Sequence, residues 1–153
     1  FNKRWCVITP MGKNDNKSLN KLKKLWKNFG SKVQIMNAKN HDKILAITSH
    51  MPHLISYSIV SSSLNVNAKE KLQIIKFSAG GFRDFTRIAA SDPIMWRDIF
   101  LNNKTNLLKI IKEFEKSLNL LKNYIKKNNS KKLQEIFLKT RKIRKLIEKE
   151  KQE

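Results

Sequence analysis

Cysteine occurs once in this chain, acidic side chains number 12 against 33 lysines and arginines, and no apolar run is long enough to cross a bilayer. Each scarcity excludes something. Cys6 has no second thiol to pair with, so no internal disulfide can form. Its place in an apolar run reads as a buried small hydrophobe of a reducing, cytosolic protein. The longest greasy stretch, Ile44 to Leu64, is interrupted by Ser49, His50, Pro52, His53 and further serines, and falls short of the roughly 20 apolar residues of a membrane helix. No secretory signal opens the chain. No initiator methionine does either: Phe1-Asn2-Lys3-Arg4-Trp5 begins inside an ordered pattern, as expected of part of a longer gene product. The apolar content argues against disorder, since 40% of the 153 residues are hydrophobic and 8% aromatic, enough for a packed core.

The shortage of acid leaves a formal net charge of +21. Such a charge can mark a nucleic-acid footprint, through counterion release along a phosphate backbone. Here the excess is mostly lysine, spread over the whole length among asparagines and isoleucines. Arginine, the residue that reads phosphate geometrically, is sparse. A solvated basic surface therefore outweighs a specific nucleic-acid site. A basic helical nucleic-acid-binding module remains the alternative, and a ligand-free dimerisation domain a third.

Along the chain, Arg4 to Pro10 reads as a short buried strand ended by proline, with a Gly/Asn/Asp loop to Asn16. From Ser18 to Phe29, Leu19, Leu22, Leu25, Trp26 and Phe29 recur at helical spacing, with Ser18 as cap and Gly30 as stop. Lys32 to Met36 makes a second strand. This βαβ unit is expected at the edge of a larger sheet, because two strands are marginal alone. After it the pattern turns helical. Asn40-His41-Asp42 offers a cap for a long segment to about Leu64, Ala68 to Lys76 makes a polar helix, and Gly80-Gly81 breaks the chain before Asp84 to Ala90. Ser91-Asp92-Pro93 starts the next helix. Its stripe of Phe100, Leu107, Ile111, Phe114, Leu118, Leu121 and Ile125 has heptad-like steps. Asn128-Asn129-Ser130 turns into a final amphipathic helix carrying Leu133, Ile136, Phe137, Ile143, Leu146 and Ile147. An intramolecular hairpin and a subunit interface explain that apolar surface equally well.

Two clusters carry chemistry. In Ser49-His50-Met51-Pro52-His53 the two histidines are three apart and share a helix face. Pro52 cannot donate a backbone hydrogen bond and crowds the carbonyl of Thr48, so a kink is expected there. The histidines read either as satisfied core groups or as pocket residues. A metal is not expected, because the third histidine, His41, has no cysteine or carboxylate cluster around it. In Gly80-Gly81-Phe82-Arg83-Asp84-Phe85-Thr86-Arg87 the glycines allow close approach of a ligand. Arg87 can fork onto a carboxylate or simply pair with Asp84 on the surface. Trp96 is a core tryptophan by default. No Ser/His/Asp triad and no phosphate-cradling loop is present.

Taken in order, His41-Asp42, Ser49-His50-Met51-Pro52-His53, Gly81-Phe82-Arg83-Asp84-Phe85-Thr86-Arg87-Ile88-Ala89 and Ser91-Asp92-Pro93-Ile94-Met95-Trp96-Arg97-Asp98-Ile99-Phe100 with Asn103 closely resemble prephenate and arogenate dehydrogenases. Arg4 to Pro10 resembles a late strand of that family's nucleotide-binding domain. The resemblance spans nearly the whole chain. It implies a mainly α fold, with residues 1–38 as the end of an NAD(P)-binding domain and 39–153 as a helical dimerisation and substrate-binding domain. It further implies an NAD- or NADP-dependent oxidative decarboxylation in tyrosine biosynthesis, by a cytoplasmic homodimer. Hydride leaves the ring carbon bearing the hydroxyl as the ring carboxylate departs as carbon dioxide, and aromatisation drives the step.

By the same resemblance Arg87 holds a substrate carboxylate, His53 faces the substrate and Trp96 shapes the pocket. Gly81 lies near the ligand, and His50 and Ser49 line the pocket, Ser49 toward the cofactor. The family's principal catalytic histidine and glycine-rich fingerprint are expected upstream of Phe1, so this chain alone is expected to be inactive.

Overall fold

The computed structural model of the chain describes residues 1–12 and 15–149. Among them run β1 (Trp5–Ile8), α1 (Asn16–Asn28), β2 (Lys32–Ile35), α2 (Ala38–Leu45), a π-helical turn (Ala46–His50), α3 (Met51–Ser63), α4 (Ala68–Lys76), α5 (Gly80–Ala89), α6 (Pro93–Asn102), α7 (Lys104–Lys126) and α8 (Ser130–Lys149). The fold is mainly α, as expected, with one βαβ piece at its start. No described helix is long and apolar enough to cross a membrane. The chain divides into two compact units, one of Phe1–His41 with the segment from Glu113 onward, the other of Asp42–Lys112.

In the first unit β1 and β2 pair in parallel, Trp5 opposite Lys32 and Ile8 opposite Ile35, and α1 is the crossover between them. Asp15, not Ser18, caps α1. Its carboxylate accepts from the backbone N–H of Lys17 at 2.9 Å and of Ser18 at 3.1 Å, and from the Ser18 hydroxyl at 2.9 Å. Led by the Lys17 bond, these hold the Asp15 carboxyl below its ordinary value. A side chain one turn earlier won because its oxygens reach both orphan donors, which Ser18, already inside the helix, cannot. Gly30 ends the helix with φ +84°, and a Cβ there would meet the Asn2 Cα at 3.1 Å, so a larger residue is excluded twice over. Cys6 is only half-buried, because two strands and one helix cannot close over it. For the same reason Leu22, Leu25 and Phe29 of the α1 stripe stay exposed, while Phe1, Trp26 and Phe29 pack edge to face at one end of the helix.

Later in this unit α8 follows a turn at Asn128, whose φ of 50° is a left-handed value that asparagine tolerates. Leu118, Ile125, Phe137, Ile143, Leu146 and Ile147 all remain exposed.

The second unit has a small core of Ala46, Trp96 and Leu107, and buries the polar side chains of His50, Ser56 and Asn103 beside it. Burying a leucine such as Leu107 contributes about 1.5–3 kcal/mol. The helix before the histidines begins at Ala38, and its cap is Asn37, whose side-chain oxygen accepts from Asn40 N–H at 2.8 Å. The cap expected at Asn40-His41-Asp42 therefore lies inside α2. Likewise Gly80 and Gly81 do not break the chain: they form the first turn of α5, where helical φ/ψ costs glycine entropy but no sterics. The stripe from Phe100 to Ile125 spans two helices, because Asn103 (φ −104°, ψ 26°) interrupts the ladder between α6 and α7.

Candidate functional site

Pro52 organises the site from within the backbone. It has no N–H to give and its ring needs room against the turn before it. The chain meets both demands by widening into the π-helical turn Ala46–His50, in which Met51 N–H reaches back to the Ala46 carbonyl, and α3 resumes with Pro52 in its first turn. The expected kink thus takes the form of a π-bulge, a device frequent at functional sites. It leaves Ala46 and His50 buried and turns His53 back, so that its Nδ1 lies 2.9 Å from the Ser49 carbonyl oxygen. A carbonyl only accepts, so Nδ1 of His53 carries a hydrogen and Nε2 is the ring's acceptor.

The tryptophan arrives from α6. Asp92 caps that helix, accepting from Met95 N–H at 2.7 Å, and Pro93 occupies the first helical position, where a missing N–H costs nothing. The Tyr57 hydroxyl donates to the Ser91 carbonyl at 2.9 Å, tying the start of α6 to α3. Trp96, one turn in and 6% exposed, then lies flat against His53 with ring centroids 3.6 Å apart, and edge-on to His50 at 6.2 Å. Phe100 packs against the same indole, tilted, at 5.5 Å. The indole Nε1 of Trp96 is buried with no hydrogen-bond partner in the described structure, an unusual state for a buried donor.

His50, 8% exposed, meets Asn103. The Asn103 Nδ2 lies 3.2 Å from His50 Nδ1 and donates to the Asp42 carbonyl at 2.7 Å, while Asn106 Nδ2 donates to Asn103 Oδ1 at 2.9 Å. Asn103 appears in the sequence only as one residue of a family-like segment. Its place beside His50 is not visible there, because an asparagine between two helical runs reads as a junction residue.

Of the residues singled out in the sequence, His50, His53, Trp96 and the backbone of Ser49 come together. Arg87 and Gly81 lie on α5, which packs against α3, and the bond described for Arg87 is to its own helix. The Arg87 guanidinium meets Asp84 at 3.4 Å with both side chains 73% exposed, the surface ion pair that spacing alone suggested. Gly81 sits in the first turn of α5, where a Cβ would meet nothing within 4 Å. The cluster brings two imidazoles and an indole together, groups suited to binding and orienting a flat polar ring.

Comparison with known proteins places this geometry. A family described as prephenate dehydrogenase, dimerization domain, matches residues 37–139, which include every member of the cluster. Cyclohexadienyl dehydrogenase of Zymomonas mobilis is 33% identical over 144 residues, 94% of this chain and 49% of that protein. Prephenate dehydrogenase of Bacillus subtilis is 34% identical over 137 residues, 90% of this chain and 37% of the relative. The crystal structure of prephenate dehydrogenase from A. aeolicus in complex with hydroxyphenyl propionate and NAD+ superposes with a TM-score of 0.82 at 42% identity, covering 93% of this chain and 49% of that one. The chain spans half or less of the length of these relatives.

Proposed function

Since the chain belongs to the prephenate dehydrogenase family, we propose that it supplies the helical, substrate-binding and dimer-forming part of an enzyme that oxidatively decarboxylates prephenate or arogenate to 4-hydroxyphenylpyruvate or tyrosine. The observation that carries this reading is the His50–Trp96–His53 cluster built around the π-bulge at Pro52, lying inside the matched segment. Two imidazoles and an indole gathered in one place supply polar and aromatic groups suited to a six-membered ring that becomes aromatic as it reacts. In this reading Arg87 exchanges Asp84 for a substrate carboxylate, His53 and Trp96 contact the substrate, Gly81 and His50 border it, and Ser49 faces the cofactor side.

The oxidant is a nicotinamide dinucleotide, NAD or NADP. The chain has four glycines, at positions 12, 30, 80 and 81, and none has the spacing of a pyrophosphate-cradling turn. We therefore assign the nucleotide's phosphates to the other half of the enzyme, with residues 1–38 as the end of that domain and residues 39–153 as the helical one. When bound, the nicotinamide accepts the hydride, and the role of the residues described here is to orient the ring and hold its carboxylates. The apolar side chains exposed on α7 and α8, together with a family described by its dimerisation, support a homodimer through the helical domain. We place the enzyme in the cytoplasm.

The test is turnover by the enzyme that carries this chain, with prephenate and with arogenate, each with NAD+ and NADP+, followed by reduced nicotinamide absorbance. Steady, substrate-dependent reduction of either cofactor is expected. Its absence with both substrates and both cofactors would overturn the reading.

A further inference from the structure

The amide of Asn103, 7% exposed, is oriented by two neighbours that admit one arrangement. The Asp42 carbonyl can only accept, so the group 2.7 Å from it is the Asn103 NH2. The Asn106 NH2 can only donate, so the group 2.9 Å from it is the Asn103 carbonyl oxygen. A side-chain amide nitrogen has two hydrogens. With one on Asp42, the other faces His50 Nδ1 at 3.2 Å. That ring nitrogen must therefore accept, because a hydrogen on it would oppose an amide N–H inside a buried site.

We propose that Asn103 is a positioning residue that locks His50 in the neutral tautomer protonated at Nε2. The consequence is a pair of imidazoles of opposite polarity against one tryptophan. His53 spends its Nδ1–H on Ser49 and keeps Nε2 as its acceptor, whereas His50 carries its hydrogen at Nε2. Two histidines free to choose their tautomers would populate four combinations, most of them with the wrong polarity for any one ligand pose. A lock set by α7 and α2 removes that choice before the substrate arrives, which is preorganisation in the electrostatic sense. The relevance to substrate rests on the function proposed above, but the tautomer itself rests on geometry alone.

The experiment is long-range 1H–15N correlation of histidine ring nitrogens near neutral pH, in the enzyme labelled with 15N-histidine, with the His50 ring identified by its loss in His50→Gln. The expected result is a protonated Nε2 and a bare Nδ1 for His50. Asn103→Asp puts an acceptor where the amide donor stood, and is expected to bring a proton onto Nδ1 while the His53 signals stay in place. A wild-type His50 protonated at Nδ1 overturns the proposal, as does an Asn103→Asp protein with the tautomer unmoved. If Asn103→Asp does not fold, the wild-type spectrum decides. Failure of turnover with the Nε2–H signature present would sink the function proposed above and leave the lock standing.

Discussion

The imidazole of His53 lies on the indole of Trp96 with 3.6 Å between ring centroids and the planes within 19° of parallel. Forty-three positions of chain separate the two rings, and the contact is made by two independent devices, a π-bulge that aims the histidine and an Asp-Pro start that aims the tryptophan.

Trp96 combines packing with an unpartnered N–H, and substitution separates the two. Trp96→Ala removes a buried ring from between His53, His50 and Phe100, and is expected to cost about 3–5 kcal/mol. Trp96→Phe keeps an aromatic face and discards a buried donor that has no acceptor, so it should cost less than about 1.5 kcal/mol. Denaturant unfolding monitored by far-UV circular dichroism measures both. Equal losses would mean that the indole N–H, not the ring, matters to the fold.

Arg87 gives the opposite separation. Its ion pair with Asp84 is solvent-exposed and worth at most about 1 kcal/mol, so Arg87→Ala should change stability by no more than about 1 kcal/mol. In the enzyme the same substitution should raise KM for the substrate by roughly ten- to a hundred-fold, the loss of a charge-assisted carboxylate bond of about 1.5–3 kcal/mol. An unchanged KM removes Arg87 from the substrate site.

The cap at Asp15 carries a pH dependence of known sign. Its carboxyl is held below the ordinary value, first by the Lys17 backbone N–H and then by the Ser18 hydroxyl and N–H. A group with a depressed folded pKa contributes stability that is present above the unfolded value and lost as pH falls through the folded one. Acidification across the carboxylate range should therefore loosen α1, and Asp15→Asn, which caps without titrating, should remove that part of the profile. Thermal unfolding of the two proteins at a series of acidic pH values compares them. Parallel profiles would contradict the assignment.

For the long helices, Ile125→Glu combined with Phe137→Glu places charges on side chains that are exposed in one chain. If a second copy covers them, the double variant should sediment as a monomer at concentrations where the wild type is a dimer, because each unpaired buried charge costs several kcal/mol. A wild type that is monomeric across a wide concentration range ends the homodimer reading.

Much of the architecture is legible in the residues. The α4 limits, the Asp92-Pro93 start, the turn at Asn128 and the helical character of both long segments follow from capping chemistry and 3.6-residue spacing, which act over one or two turns. At Ser18 and at Asn40 the side chain that caps instead, Asp15 or Asn37, lies three residues earlier, and only the backbone path tells which oxygen reaches the orphan donors. Gly80-Gly81 reads as a break because glycine is a poor helix former. The helix starts there regardless, since helix packing outweighs about 1 kcal/mol per glycine.

Helical content, the apolar stripes, the crowding at Pro52 and the identity of the polar groups are local matters, set by spacing and covalent chemistry along the chain. Which nitrogen of His50 carries its proton, which ring lies on Trp96 and whether Arg87 meets Asp84 or something else are matters of distance between segments. A hydrogen bond such as that from Asn103 to His50 spans 53 positions, and its existence depends on how helices cross to within a few tenths of an ångström, a quantity on which periodicity is silent.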